Sequence, residues 1–372
     1  MDGPRILKYA LCAVFLAALF GALIINIALP DKEFLENENR MAQTLPKFSA
    51  DALLSGKWTA EFEEYSNDQF VFRDGFISLK SMSERALGRH ENGGVFFGRD
   101  RLIEAFPPAD EKLFSDNVNA VKAFADATEV PVYFALIPTA AHIYRGELPY
   151  GAPFADEETL ISKAYAVFGG GADIAGALSA HRDEYIFYRT DHHWTSLGAR
   201  YGCGALCDEL GLDSAVLSGY KKDVLTEDFN GTLYSLSGAR DITPDEIDAY
   251  VPSELITVER YDSAEPSAGG LYYYENLTVK DKYRVFLGGN SPRVVIKTRN
   301  YGAPALLVIR DSYCDSLAPF LTPYFSEIHL LDLRYYKSGV SEYIEDNDID
   351  KVLVIYGLKK FSEDTNIRAF LK

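Results

Sequence analysis

The feature that most restricts the fold of this chain is the run YALCAVFLAALFGALIINIAL at residues 9–29, 21 positions without a charged side chain. A helix of that length crosses the hydrocarbon core of a bilayer, and in lipid a helix satisfies its backbone hydrogen bonds by itself. Arg5 and Lys8 precede the run, whereas Asp31 and Glu33 follow Pro30. The positive charge on the N-terminal side orients residues 1–30 as a cytoplasmic tip and single-pass anchor, with everything after Pro30 extracytoplasmic. A cleaved signal peptide is the rival reading. Its apolar part would be about 7–15 residues followed by a small-x-small site, and NIAL at 26–29 offers none.

The rest of the chain has the composition of a globular protein, 47% hydrophobic and 25% charged over 372 residues, enough for a substantial core. A formal net charge of -18, with no basic run to offset it, argues against nucleic acid as a partner. Residues 31–92 read as a polar stalk followed, from about Trp58, by helical spacing. There Phe62, Tyr65, Phe70, Phe72 and Phe76 interleave with acidic residues, a pattern expected to pack on a core.

From residue 93 to 372 the pattern changes. Apolar runs at 130–138 (VPVYFALIP), 184–189 (EYIFYR), 304–310 (PALLVIR), 327–333 (EIHLLDL) and 351–357 (KVLVIYG) alternate with helical stretches. Continuous apolar strands separated by helices predict an α/β fold, a parallel sheet sandwiched by helices. Residues from about 220 to 300 are rich in Tyr, Thr and Gly and predict a β-rich insertion of hairpins in that frame.

In an open parallel sheet ligands bind beyond the carboxyl ends of the strands. EYIFYR is followed by Asp191, His192, His193 and Trp194, and PALLVIR by Asp311 and Ser312. A Ser, a His and an Asp converging on one edge are the parts of a nucleophilic site: serine attacks, imidazole takes its proton, and carboxylate fixes the imidazole tautomer. Two residues of separation let Asp191 reach the His193 ring, whereas His192 is expected to point the other way. The bland alternatives are helix caps and turn residues. A metal site is a further reading of Asp191, His192 and His193, but adjacent histidines diverge and no His-x-x-x-His pair supports them, so no metal and no cofactor are expected. Cys203 and Cys207, four apart on a helix, read as small buried hydrophobes, with a strained bridge the alternative.

At these residues the sequence resembles a known family. TDHHWTSLGA at 190–199 looks like the signature of the DHHW family of cell-surface proteins, and ENENRMAQTLPKF (36–48), YSNDQFVFRDGF (65–76), GGVFFGRDRLIE (93–104), DFNGTLYSLSG (228–238) and IRDSYCDSLAPFLTPYF (309–325) agree with it. That family is similar to the alginate O-acetyltransferase branch of SGNH hydrolase-like proteins, in which an Asp-x-His pair precedes the catalytic Ser, an order permuted relative to ordinary SGNH esterases. The resemblance implies Ser312 as nucleophile, His193 as general base and Asp191 as its orienting carboxylate. It also implies acetyl transfer to, or removal from, a hydroxyl of a cell-envelope or exported polysaccharide, with a multi-pass membrane O-acyltransferase as acetyl donor. The strand ends at 333–335 and 356–357 lack the Gly and Asn expected for the oxyanion hole, so Arg334, or Asn290 from the insertion, is the substitute donor. That departure keeps a second reading open: a carbohydrate-binding or polysaccharide-assembly protein on the same fold without turnover.

Overall fold

The computed structural model describes residues 3–252 and 255–371. It divides into two compact units, residues 1–89 with 238–240, and residues 90–237 with 241–372.

In the first unit, α1 spans Gly3–Ala28, and its segment Ile6–Ala28 is long and apolar enough to cross a membrane. A short helical turn at Ala50–Leu54 leads into two longer helices, α2 (Lys57–Asp68) and α3 (Arg73–Ala86). The residue blocks at 36–48 and 65–76 meet here. The Arg40 guanidinium donates to both oxygens of buried Asp68, at 2.6 and 2.8 Å, and the Gln43 N–H adds a third bond at 2.9 Å. The Arg40 hydrogen bond holds the Asp68 carboxyl below its usual range despite burial. The aromatic run expected to face a core does not: Phe70, Phe72 and Phe76 are 39%, 73% and 55% exposed. Helical spacing identifies one face of a helix but not which face is covered, and here the covered side is the polar one built on Asp68 and Ser81.

Besides a small three-stranded sheet at residues 91–104, the strands of the second unit are β1 (Val132–Ile137), β2 (Lys221–Phe229), β3 (Asp245–Val251), β4 (Thr257–Tyr261), β5 (Ser267–Gly269), β6 (Arg293–Lys297), β7 (Ala305–Arg310), β8 (Glu327–Leu331) and β9 (Lys351–Gly357). Seven form one sheet in the order β5-β4-β6-β8-β7-β9-β1. From β8 to β1 neighbours are parallel, with Val308 of β7 opposite Leu330 of β8 and Leu353 of β9. β6, β4 and β5 continue the sheet antiparallel.

The sheet is covered by α4 (Glu111–Ala127), α5 (Glu157–Phe168), α6 (Ile174–Ala180), α7 (Ser196–Leu210), α8 (Tyr313–Leu321), α9 (Val340–Asp346) and α10 (Leu358–Glu363). Because side chains alternate along a strand, Leu306 and Val308 of β7 pack with α6, α7 and α8 while Leu307 and Ile309 pack with α4, α5, α9 and α10. Each of these four is fully buried, worth about 1.5–3 kcal/mol apiece.

Two expectations need correction. The sheet is mixed, not purely parallel, since three strands of the insertion extend it, and only β2 and β3 form a separate hairpin. EYIFYR is not a strand of the sheet. Ile186, Phe187 and Tyr188 are buried, but their backbone pairs locally with the chain that returns at 193–195. An unbroken apolar run does not distinguish a buried strand from a buried loop.

Candidate active site

The carboxyl ends of β1, β7, β8 and β9 share one edge, and the nucleophile candidate lies there. Ser312 follows β7 directly, with helical φ and ψ of -66° and -16°, and its hydroxyl caps nothing in α8. The turn is fixed by Asp311, whose carboxylate accepts the N–H of Gly357 at 2.9 Å and of Tyr313 at 3.1 Å. Burial pushes the Asp311 carboxyl up to about 6 against those bonds. Ser312 Oγ instead meets His193 Nε2 at 2.9 Å, and His193 Nδ1 lies 2.6 Å from Asp191 Oδ1.

No strand carries the histidine. Residues 186–195 form a tight loop in which Tyr188 N–H donates to the His193 carbonyl and Thr195 N–H to that of Ile186. Side chains brace it. Asp245, the first residue of β3, accepts the N–H groups of Arg189 and Thr190 at 2.7 and 2.8 Å, together with the Thr190 and Tyr185 hydroxyls. Thr232 N–H donates to Asp191 Oδ2 at 2.8 Å. Gly231 comes so close that a Cβ there would stand 2.4 Å from the Asp191 side chain. Trp194 Nε1 donates to the Tyr313 carbonyl and Ser316 Oγ, both at 3.0 Å, which fastens the loop to the start of α8.

Tyr283, from the insertion, lies flat on the His193 ring, 3.9 Å between centroids and 9° between planes. Its hydroxyl donates to the Ser312 carbonyl at 3.1 Å. One side chain therefore holds His193 by its face and Ser312 by its backbone.

Electrostatics fit the same arrangement. Burial, then the neighbouring His192 ring, lower His193 to about 4 against the pull of Asp191, so its ring is neutral at neutral pH and free to take a proton. Burial alone would raise Asp191, but the two histidine rings, the His193 hydrogen bond and the Thr232 N–H outweigh it and hold the carboxyl well below its usual range.

A cleft of about 270 Å³ opens over Ser312, lined also by His192, Thr139, Arg334 and Lys359. A larger one, about 660 Å³ beside His181 and Tyr201, lies away from Ser312, so size does not mark the site. His192 does not turn away as expected: it stays on the cleft wall, its ring 4.0 Å from that of His193. Arg334 faces the cleft, gripped by Asp332 and donating to Asn290 Oδ1 at 3.2 Å. Asn290 is not among the residues that line the cleft. At the end of β1, Thr139 N–H donates at 2.8 Å to Glu157, which burial pushes up to about 7.

Asp191, His192 and His193 offer ligand atoms within 4.8 Å of one another. Both Asp191 oxygens and both His193 nitrogens, however, already have hydrogen-bond partners. Cys203 and Cys207 are free thiols.

The functional residues that sequence reasoning missed are Tyr283, Asp245 and the pair Gly231 and Thr232. The last two lie in the DFNGTLYSLSG block, the one sequence signal that pointed to them.

Comparison with known proteins gives this geometry its context. The model of the DHHW protein family matches residues 159–331, a stretch that holds Asp191, His193, Gly231, Tyr283 and Ser312, and the resemblance to that family is borne out. The chain is 28% identical over 210 residues to the probable alginate O-acetylase AlgJ of Pseudomonas aeruginosa, covering 52% of this chain and 50% of that protein. It is 25% identical over 195 residues to that of Pseudomonas putida, covering 49% and 50%. The chain thus spans about half the length of the curated relatives it matches. Among solved structures, a DHHW family protein from Eubacterium siraeum is similar at 25% identity and a TM-score of 0.66, over 75% of this chain and 96% of that one. PatB1 of Bacillus cereus, solved with a sulfonyl adduct, shares the fold at 19% identity and a TM-score of 0.63, over 74% and 98%.

Proposed function

We propose that this protein is a membrane-anchored, extracytoplasmic O-acetyltransferase or acetylesterase acting on cell-envelope or exported polysaccharide through Ser312, His193 and Asp191. The observation that carries the reading is the continuous hydrogen-bonded line from Ser312 Oγ through the His193 ring to Asp191. Similarity to probable alginate O-acetylases supports polysaccharide as the acceptor class. The apolar helix Ile6–Ala28 supports the anchor, with its N-terminus cytoplasmic and the α/β unit outside. The strand order β8-β7-β9-β1 supports a permuted SGNH-like frame. If the Ser312 strand counts as first, the order reads 2-1-3-4, as in doubly wound flavodoxin-like sheets.

In the proposed reaction Ser312 Oγ attacks the acetyl carbonyl carbon while His193 Nε2 accepts the hydroxyl proton. Asp191 stabilises the imidazolium so formed. The oxyanion is met by the Ser312 N–H and the Arg334 guanidinium, which Asp332 and Asn290 hold in place. The intermediate collapses as His193 returns the proton to the departing oxygen, leaving acetyl-Ser312. A sugar hydroxyl then attacks the acetyl carbon, giving its proton to His193, and Ser312 leaves with that proton; water in place of the sugar gives hydrolysis. A multi-pass membrane O-acyltransferase is the proposed source of acetyl groups.

One observation favours the second reading, carbohydrate binding or polysaccharide assembly without turnover: the Gly357 N–H is engaged by Asp311 and unavailable to an oxyanion. Release of p-nitrophenol from p-nitrophenyl acetate by the full chain in detergent, with and without oligosaccharide acceptors, separates the two. Turnover that disappears in Ser312→Ala and His193→Ala supports the enzyme, and acceptor dependence identifies a transferase. Three folded proteins that all match the blank, yet bind oligosaccharide, support the alternative.

A further inference from the structure

The aromatic residues that fail to reach a core in the first unit have a common location. Val71 N–H donates to the side-chain oxygen of Asn26 at 2.8 Å, and Gln69 and Tyr65 are tied to Lys32 and Asp31 directly beyond the apolar helix. Asn26 lies three residues before the end of the uncharged run, about 5 Å along the helix axis. The hydrogen bond therefore pins the 70–72 turn at the outer end of the span. Phe70 and Phe72 flank that pinned residue, Phe72 stands at the N-cap of α3, and Phe76 and Leu79 lie three apart on that helix, with the Phe70 and Phe76 rings 5.8 Å apart and all four residues exposed. Phe72 adopts φ 57° and ψ 21°, a left-handed conformation that bulky residues rarely take, with its ring 73% exposed. In water such a face is unfavourable, and a contiguous exposed apolar patch marks an interaction surface.

We infer that the face formed by Phe70, Phe72, Phe76 and Leu79 lies in the headgroup region of the bilayer that α1 crosses. This rests on the anchoring reading above. Continuity with the spanning helix selects lipid over a protein partner, because the Asn26 hydrogen bond fixes the depth of the turn relative to the span. Aromatic rings are favoured at that depth, where an apolar face meets partly hydrated headgroups. The anchor then holds the unit against the membrane surface as well as tethering it.

The test uses the full chain in phosphatidylcholine–phosphatidylglycerol vesicles whose acyl chains are brominated either near the headgroup or near the midplane. Phe72→Trp and Phe76→Trp are read as emission added to that of the native chain, with Phe15→Trp as the mid-span reference. The expected result is that Phe15→Trp loses most emission with deep bromines, and Phe72→Trp and Phe76→Trp lose most with shallow ones. Quenching of Phe15→Trp alone overturns the inference while leaving the anchor intact, and assigns the face to a second copy or another protein. If Phe15→Trp is not quenched either, the anchoring reading fails and the inference fails with it.

Discussion

The nucleophile and the base of the proposed site are held in different ways. Ser312 sits at the end of β7, a strand buried on both faces and flanked by parallel neighbours, so the sheet itself sets its position. His193 sits on a loop that no sheet strand carries, and its position is the sum of side-chain contacts from Asp245, Trp194 and Tyr283 and of backbone contacts from Gly231 and Thr232. Of these, only Trp194 belongs to the loop itself; the other four come from the insertion. A strand end tolerates change around it because the ladder is redundant, whereas a loop braced by single contacts loses geometry with each one removed. The insertion is therefore a scaffold for His193.

That contrast can be broken or sharpened by substitution. The largest expected effect is from Asp191→Asn, which keeps the shape but favours the wrong imidazole tautomer; kcat for acetyl-ester turnover should fall about 10⁴-fold with no change in melting temperature. Asp245→Ala strands the buried donors of Arg189 and Thr190. It should lower stability to denaturant by about 3 kcal/mol, and an unchanged midpoint would show that the loop does not depend on the insertion. Gly231→Ala drives a methyl group into Asp191 and should reduce kcat about 10²-fold while KM stays nearly constant. Tyr283→Phe keeps the stack on His193 and removes the bond to the Ser312 carbonyl, an effect of about 1 kcal/mol, or roughly fivefold in kcat.

How much of this was legible in the sequence follows the same division. Ser312, His193 and Asp191 could be named because strand ends are readable from apolar runs and the TDHHW block is distinctive. Tyr283 and Asp245 could not, since they lie 90 and 55 positions from the residues they hold, His193 and Thr190, and nothing local to a tyrosine or aspartate in a β-rich stretch announces such a contact. The apolar run at 184–189 was misleading for a physical reason: a loop buried between helices needs the same side chains as a buried strand. The strands at 257–261, 267–269 and 293–297 are short and carry polar or charged residues beside apolar ones, so joining the parallel sheet leaves little mark in their composition.

The pH dependence gives the smallest but most specific signal. His193 is lowered to about 4, chiefly by burial, so its base form persists as pH falls through the ordinary histidine value of about 6.5 and is lost only near 4. The steep acid limb of kcat/KM should lie there. A shoulder near 6 belongs to Asp311 and should vanish in Asp311→Asn. A steep limb at 6.5 in both proteins would mean that the loop exposes the histidine to water and is looser than the contacts describe.

The most direct test of the central claim is to quench the full chain with acid during turnover of p-nitrophenyl acetate and locate acetylation by peptide mass spectrometry. One acetyl group is expected, on Ser312, absent from Ser312→Ala and strongly reduced in His193→Ala. Turnover with Ser312 unmodified at every time point, or the same acetylation in His193→Ala as in the native chain, would contradict it.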